Sequence, residues 1–162
     1  MLAQYIFYAT AVGLFLIDQI TKSLALKYLA DAPTTIIPGF FKLSLVLNKG
    51  AAFGILPDAA ILFIILTLAV LFVIVKLKQD NSQSKLFSVG LGLLAGGACG
   101  NLVDRLTRTG RDVVDFLDFT FGSYSYPTFN IADIGVVAGI FLVVFYVYFI
   151  EKKGIYLGHN RD

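Results

Sequence analysis

The chain has 162 residues, of which 57% are hydrophobic and only 15% charged, with a net charge of +2 and a mean hydropathy of +0.80. That is far more apolar surface than one soluble core of this length buries, so the excess faces lipid, and the small charge gives no footing for a nucleic-acid partner. A single cysteine, Cys99, excludes an internal disulfide and a thiolate metal cluster, and with the single histidine, His159, in the polar tail the inventory argues against a histidine-rich metal site and a Ser/His/Asp or Cys/His nucleophile.

The first apolar run covers about residues 4–27, close to the ~20 residues that cross a bilayer core. Ala9-Thr10-Ala11 superficially resembles a leader cleavage site, but no basic residue precedes it and the run continues to Ile17, so a retained first span is expected. Inside it Asp18 and Lys22 stand four apart with the acid first, the favourable order for an ion pair on one helix face. The following loop, about 28–58, alternates Phe41, Leu43, Leu45 and Leu47 with Lys42, Ser44 and Val46, bounded by Pro38-Gly39 and Asn48-Lys49-Gly50. That pattern predicts a half-buried strand or hairpin at the membrane surface, with Asn48 to Gly54 reading as a turn.

A second run covers about 59–77 and a third about 86–106. In the third, Gly92, Gly96 and Gly100 repeat every four residues and Asp104 continues their face, while Asn101 and Arg105 follow Gly97 on the adjacent stripe. The glycines read as a close helix contact. Asp104 and Arg105 either neutralise each other or pair with neighbours, and Asn101 is placed to hydrogen-bond across helices. The loop of about 107–130 carries β-rich Val113 to Phe121, closed by a turn at Gly122. In a strand Asp115 and Asp118 have opposite parity, so only one faces the bundle. Asn130 then caps a fourth run, about 131–150, with Asp133 at the third position of a capping-box-like pattern.

Four spans put both termini on one side. Of 13 basic residues, Lys76, Lys78, Lys85, Lys152, Lys153 and Arg161 share that side and seven lie on the other, so counting alone does not orient the chain. Short loops and charges next to spans weigh most, which favours the 76–85 loop and the tail as cytoplasmic and loops 28–58 and 107–130 as extracytoplasmic.

Ionisable groups inside a span cost roughly 2.5 to 3.5 kcal/mol each at the helix centre unless paired or wet. Asp115 and Asp133 are 18 positions apart, enough for a strand, a turn and a return to the membrane. Two carboxyls sharing a proton activate water and polarise a scissile carbonyl without metal or cofactor. Other readings stay open on residues alone: a proton or cation path through Asp18, Asp104, Asp115 and Asp133, or a scaffold in which the acids merely cap and pair. A serine/lysine peptidase built on Ser44 and Lys49, or Ser23 and Lys22, is a weaker alternative.

Five blocks in order, Asp18-Gln19-Ile20-Thr21-Lys22, Asn48 to Phe53, Gly97 to Arg105, Val114-Asp115-Phe116 and Phe129-Asn130-Ile131-Ala132-Asp133, resemble those of the lipoprotein signal peptidase (signal peptidase II) family. The resemblance implies a mainly α membrane protein, one domain over residues 1–162, with four transmembrane helices and a small extracytoplasmic β-sheet platform. It implies a bacterial cytoplasmic-membrane aspartic endopeptidase, working without a cofactor, that removes signal peptides from prolipoproteins on the N-terminal side of a diacylglyceryl-modified cysteine. By resemblance Asp115 and Asp133 are the catalytic pair, and Asn48, Asn101, Arg105 and Asn130 support it or position substrate. Asp18, Lys22 and Asp104 are structural or substrate-adjacent. Its expected partners are the modified prolipoproteins and membrane lipids, and a monomer is expected.

Overall fold

The computed structural model describes residues 1–50, 59–79 and 84–151. Turn residues Ala51 to Gly54, and Lys152, Lys153, His159 and Arg161 of the tail, lie outside the described residues. The elements run α1 (Leu2–Tyr28), β1 (Thr34–Ile37), β2 (Phe41–Asn48), α2 (Ala60–Lys78), α3 (Lys85–Thr107), β3 (Val113–Phe121), β4 (Tyr124–Ser125) and α4 (Ile131–Phe145), the last passing into a π-helical stretch, Tyr146–Glu151. The chain is thus mainly α, with, among the described residues, four helices long and apolar enough to cross a membrane and one small antiparallel sheet.

The helix α3 takes the centre because its side chains are small. Its most apolar window is 61% buried, against 17%, 11% and 17% for α1, α2 and α4. Lipid is as apolar as leucine, so helices in a membrane gain little from hiding leucine and associate through close contact instead. Two glycine stripes on α3 supply that contact. Gly92 and Gly96 lie against Phe7, Thr10 and Ala11 of α1, and Gly100 lies against Asp18, while Gly97 meets Ala132 and Val136 of α4 and Gly90 meets Val143. The helix α4 reciprocates with Gly135 against Leu14 and Gly139 against Gly90 and Leu94. By contrast α2 is apolar on all sides and buries only Ala60 and Ile74. At its start α3 is capped by the Ser84 hydroxyl, which accepts from Phe87 N–H at 3.1 Å.

The sheet is a meander in the order β1-β2-β3-β4. Phe40 N–H donates to the Ile37 carbonyl at 3.0 Å, closing a turn with Pro38 second and Gly39 third at φ +73°. That is the residue placement a type II turn requires. Register pairs Phe41 with Phe119, Val46 with Asp115 and Asn48 with Val113, with an irregularity between Leu43 and Val46. Gly122, at φ +62°, turns β3 into β4. The strand β1 was not anticipated, although Thr34-Thr35-Ile36-Ile37 ahead of Pro38 is a β-branched run. Ala25, Leu29, Val114 and Phe116 form a core under the sheet.

After β4 the chain returns beside β3. Phe129 N–H donates to the Leu117 carbonyl at 3.2 Å, and the Phe129 carbonyl accepts from Phe116 and Leu117 N–H at 3.1 and 2.9 Å. Stacked rings of Phe41 on Phe119 (4.4 Å) and Phe119 on Phe129 (5.7 Å) back this connection. It delivers Asn130 and α4 to the flank of Asp115.

A Cβ at position 97 would stand 2.5 Å from the Ala132 carbonyl oxygen, whereas one at position 13 would meet nothing within 4 Å. Thermal unfolding in detergent is therefore expected to show Gly97→Ala destabilised by about 1–3 kcal/mol through overpacking. Gly13→Ala is expected to be neutral or up to about 1 kcal/mol more stable through helix propensity. Equal unfolding temperatures for the two variants would contradict the packing described.

Candidate active site

The polar residues singled out from sequence converge where β3 and the start of α4 meet the end of α3. Asn130 closes a complete capping box: its Oδ1 accepts from Asp133 N–H at 3.0 Å, and the Asp133 Oδ2 accepts from Asn130 N–H at 3.1 Å. Because the amide oxygen is committed to the helix, the amide nitrogen must face the other way. It donates to Asp115 Oδ1 at 2.6 Å, with further contacts to the Val114 carbonyl at 3.3 Å and Asn101 Oδ1 at 3.2 Å. One fully buried asparagine thus touches both Asp115 and Asp133.

Each carboxyl has a second amide partner. Asn48 Nδ2 donates to Asp115 Oδ2 at 2.9 Å while Asn48 Oδ1 accepts from Gly50 N–H at 3.0 Å, and Asn101 Nδ2 donates to Asp133 Oδ1 at 2.8 Å. Both carboxyls border a cavity of about 250 Å³ whose polar walls are Asn48, Gly50, Asn101 and Arg105 and whose apolar walls include Phe63, Val113 and Phe129. A second, larger depression of about 620 Å³ runs along the Ile134, Val137, Ala138 and Phe141 side of α4 and shares Tyr126, Phe129 and Asp133 with the first. Asp133 therefore stands where a polar chamber meets an apolar groove.

Asp115 is only 1% exposed, and burial in this apolar setting pushes its carboxyl up from the ordinary 3.8 to about 7. The Asn48 bond opposes that rise, the neighbouring charge of Asp133 adds to it, and the Asn130 bond and Lys22 oppose it. The two carboxyls thus border one chamber, and the charge of Asp133 disfavours ionisation of Asp115.

The remaining predicted residues divide. Asp18, Lys22 and Asp104 form a buried ion cluster, with Lys22 Nζ 2.8 Å from Asp18 Oδ2 and 3.0 Å from Asp104 Oδ2. Arg105 does not pair with Asp104. Its guanidinium lies 5.1 Å over the Phe63 ring and donates to the Gly50 carbonyl at 3.4 Å, and its buried Nε has no partner among the described residues. Asp118 is also buried, but its contacts are Ser44, at 2.8 Å, and Lys42, at 3.3 Å, away from the chamber. Sequence reasoning missed Phe63 and Tyr126, since an aromatic in an apolar span and a tyrosine in a turn carry no local mark of a site. It gave Gln19 no role, although its amide bridges Asp18 and the Gly100 carbonyl.

The family model described as signal peptidase (SPase) II matches residues 10–149 of this chain. A lipoprotein signal peptidase of Symbiobacterium thermophilum is 43% identical over 146 residues, covering 89% of this chain and 95% of that protein. One from Maridesulfovibrio salexigens is 43% identical over 135 residues, 79% and 85% of the two chains. One from Bacillus pumilus is 40% identical over 149 residues, 91% and 95%. Two solved bacterial membrane enzyme structures, at 2.3 and 1.9 Å resolution, superpose with TM-scores of 0.76 and 0.77 at 32% identity; they cover 87% and 89% of this chain and 86% and 93% of their own.

A carboxyl held at about 7 in the fold and near 3.8 when unfolded binds its proton more tightly in the native state. Its contribution to stability is therefore greatest below the lower value, declines as pH rises between the two, and is constant above. The unfolding temperature of the wild type minus that of Asp115→Asn is expected to fall as pH is raised from about 4 to about 7. A difference that stays flat across that window would refute the burial effect at Asp115.

Proposed function

The chain belongs to the signal peptidase II family, a family of membrane aspartic peptidases, and from that premise we propose that Asp115 and Asp133 are the catalytic pair of a prolipoprotein-processing enzyme. It is a bacterial multi-pass membrane protein that removes signal peptides from prolipoproteins. The finer reading is hydrolysis on the N-terminal side of a diacylglyceryl-modified cysteine by a water held between the two carboxyls. The observation that carries it is Asn130, whose backbone and side chain bind one carboxyl each at the edge of a single chamber.

With one proton shared by the pair, the ionised carboxylate takes a proton from the water as its oxygen attacks the scissile carbonyl carbon, and the protonated carboxyl hydrogen-bonds the carbonyl oxygen. A C–O bond forms as the carbonyl π bond opens and the protonated carboxyl passes its proton to the carbonyl oxygen, giving a tetrahedral gem-diol. Collapse breaks the C–N bond as the leaving nitrogen takes the water-derived proton from the pair and one gem-diol hydroxyl returns its proton to the pair, releasing a signal peptide with a new carboxyl end and a lipoprotein with a free amine on its cysteine. No metal enters this scheme. Asn48, Asn101 and Asn130 fix the carboxyl planes before substrate arrives, so little reorganisation accompanies the reaction. Arg105, whose Nε on the chamber wall has no partner among the described residues, positions a substrate carbonyl.

The apolar groove along α4 ends at Asp133, which suits an apolar signal segment that stays in the bilayer while its scissile bond reaches the chamber. Loops 28–58 and 107–130, and with them the chamber, face the extracytoplasmic side; both termini are cytoplasmic, and the protein acts as a monomer. Basic residues close to spans at the 76–85 loop support that orientation.

Purified Asp115→Asn and Asp133→Asn are each expected to remain folded and to lose cleavage of a diacylglyceryl-modified prolipoprotein by at least about 10³-fold, the scale of losing general acid–base catalysis. Cleavage retained in either variant would rule out the pair. Wild-type cleavage is expected to survive both a metal chelator and a serine-reactive reagent, and inhibition by either would move the protein to another mechanistic class.

A further inference from the structure

The ion cluster beside the chamber is tied to the catalytic pair by three separate bonds. Lys22, 2% exposed, has three N–H donors and three acceptors: Asp18 Oδ2 at 2.8 Å, Asp104 Oδ2 at 3.0 Å and Asn101 Oδ1 at 2.8 Å. Each acceptor leads onward. The other oxygen of Asp18 accepts from the backbone N–H of Ala132 at 2.9 Å, and Asp104 Oδ2 also accepts from the backbone N–H of Val114 at 3.1 Å. Ala132 and Val114 are the residues immediately before Asp133 and Asp115. Asn101, its oxygen held by Lys22, presents its NH₂ to Asp133 Oδ1 at 2.8 Å.

One ammonium group therefore fixes the backbone approach to both aspartates and the side-chain partner of one of them. The described lining of the chamber comes from α2, α3, α4, β2, β3 and the loops and includes no α1 residue, so Lys22 is walled off from any molecule occupying it. We propose that Lys22 is a positioning residue of the peptidase: by clamping Asp18, Asp104 and Asn101 it sets the relative placement of the Asp115 and Asp133 carboxyls. This rests on those two residues being the catalytic pair.

Removing Lys22 alone leaves two buried carboxylates unpaired and invites unfolding for reasons unrelated to placement. The informative comparison is Lys22→Met made in an Asp104→Asn background against Asp104→Asn alone. The amide oxygen that this background substitution introduces still accepts from Val114 N–H, and the double variant carries the same net charge over the cluster as the wild type. Cleavage of a diacylglyceryl-modified prolipoprotein in detergent, followed over substrate concentration, separates kcat from KM, and thermal unfolding is read on the same preparations.

Because Met leaves the Asp18 carboxylate without its ammonium partner, the double variant is expected to unfold at a lower temperature than Asp104→Asn yet to be folded at the assay temperature. Its kcat is expected to fall by roughly tenfold or more at a KM changed less than about twofold, because small misplacements of reacting groups cost rate and not binding. An unchanged kcat in the folded double variant overturns the proposal. So does a double variant that cannot be recovered folded, since Lys22 is then structural alone. If Asp115→Asn or Asp133→Asn still cleaves, the catalytic pair itself has failed. If both are inactive and the double variant keeps its kcat, only the role of Lys22 has.

Discussion

A carboxyl group in a bundle surrounded by lipid has no bulk water to fall back on, and each one in this protein's polar cluster is held by donors from another element. This constraint collects Asp18, Lys22, Asn101, Asp104, Asp115, Asn130 and Asp133 into one network at one end of α3. Dispersed through the spans, each would carry its own desolvation cost of several kcal/mol. Gathered, their donors and acceptors satisfy one another. The sheet then belongs to the same network, because β2 contributes Asn48 and β3 contributes Asp115.

The glycines of α3 are what permit the gathering. Gly100 sits against the Asp18 carboxylate and Gly97 against the Ala132 carbonyl, so the two helices bearing Asp18 and Asp133 come within hydrogen-bonding reach of α3 side chains. A larger residue at either position would separate the charges from their partners. Packing and electrostatics are therefore one problem here, solved by the same stripe of small residues.

Asn130 joins two roles that local sequence treats as rivals. A carboxylate in the first turn of a helix is ordinarily a cap, favoured by the helix dipole, and Asp133 is such a cap. It spends one oxygen on that task and keeps the other for Asn101 at the chamber edge. Capping thus leaves one Asp133 oxygen facing the chamber, and burial raises the pKa of the Asp115 carboxyl beside it. The hydrogen bonds from Asn48 and Asn130 restrain that shift without abolishing it.

The sequence by itself determined the membrane class, the strand character of Phe41 to Leu47 and of Val113 to Phe121, and the glycine stripe, because hydropathy, alternation and four-residue spacing are local properties of the chain. The capping box at Asn130 was legible for the same reason, and the ordered motifs named the family. Only the tertiary structure decided who pairs with whom. Arg105 turned to Phe63 and Gly50 and left Asp104 to Lys22, and Asp118 went to Ser44 and Lys42. The short strand β1 emerged from a stretch that reads as loop, since an edge strand forms only against a partner already in place. Ion pairs, cavities and edge strands depend on contacts between residues as far apart in sequence as Asp18 and Ala132, and such contacts exist only once the helices have packed.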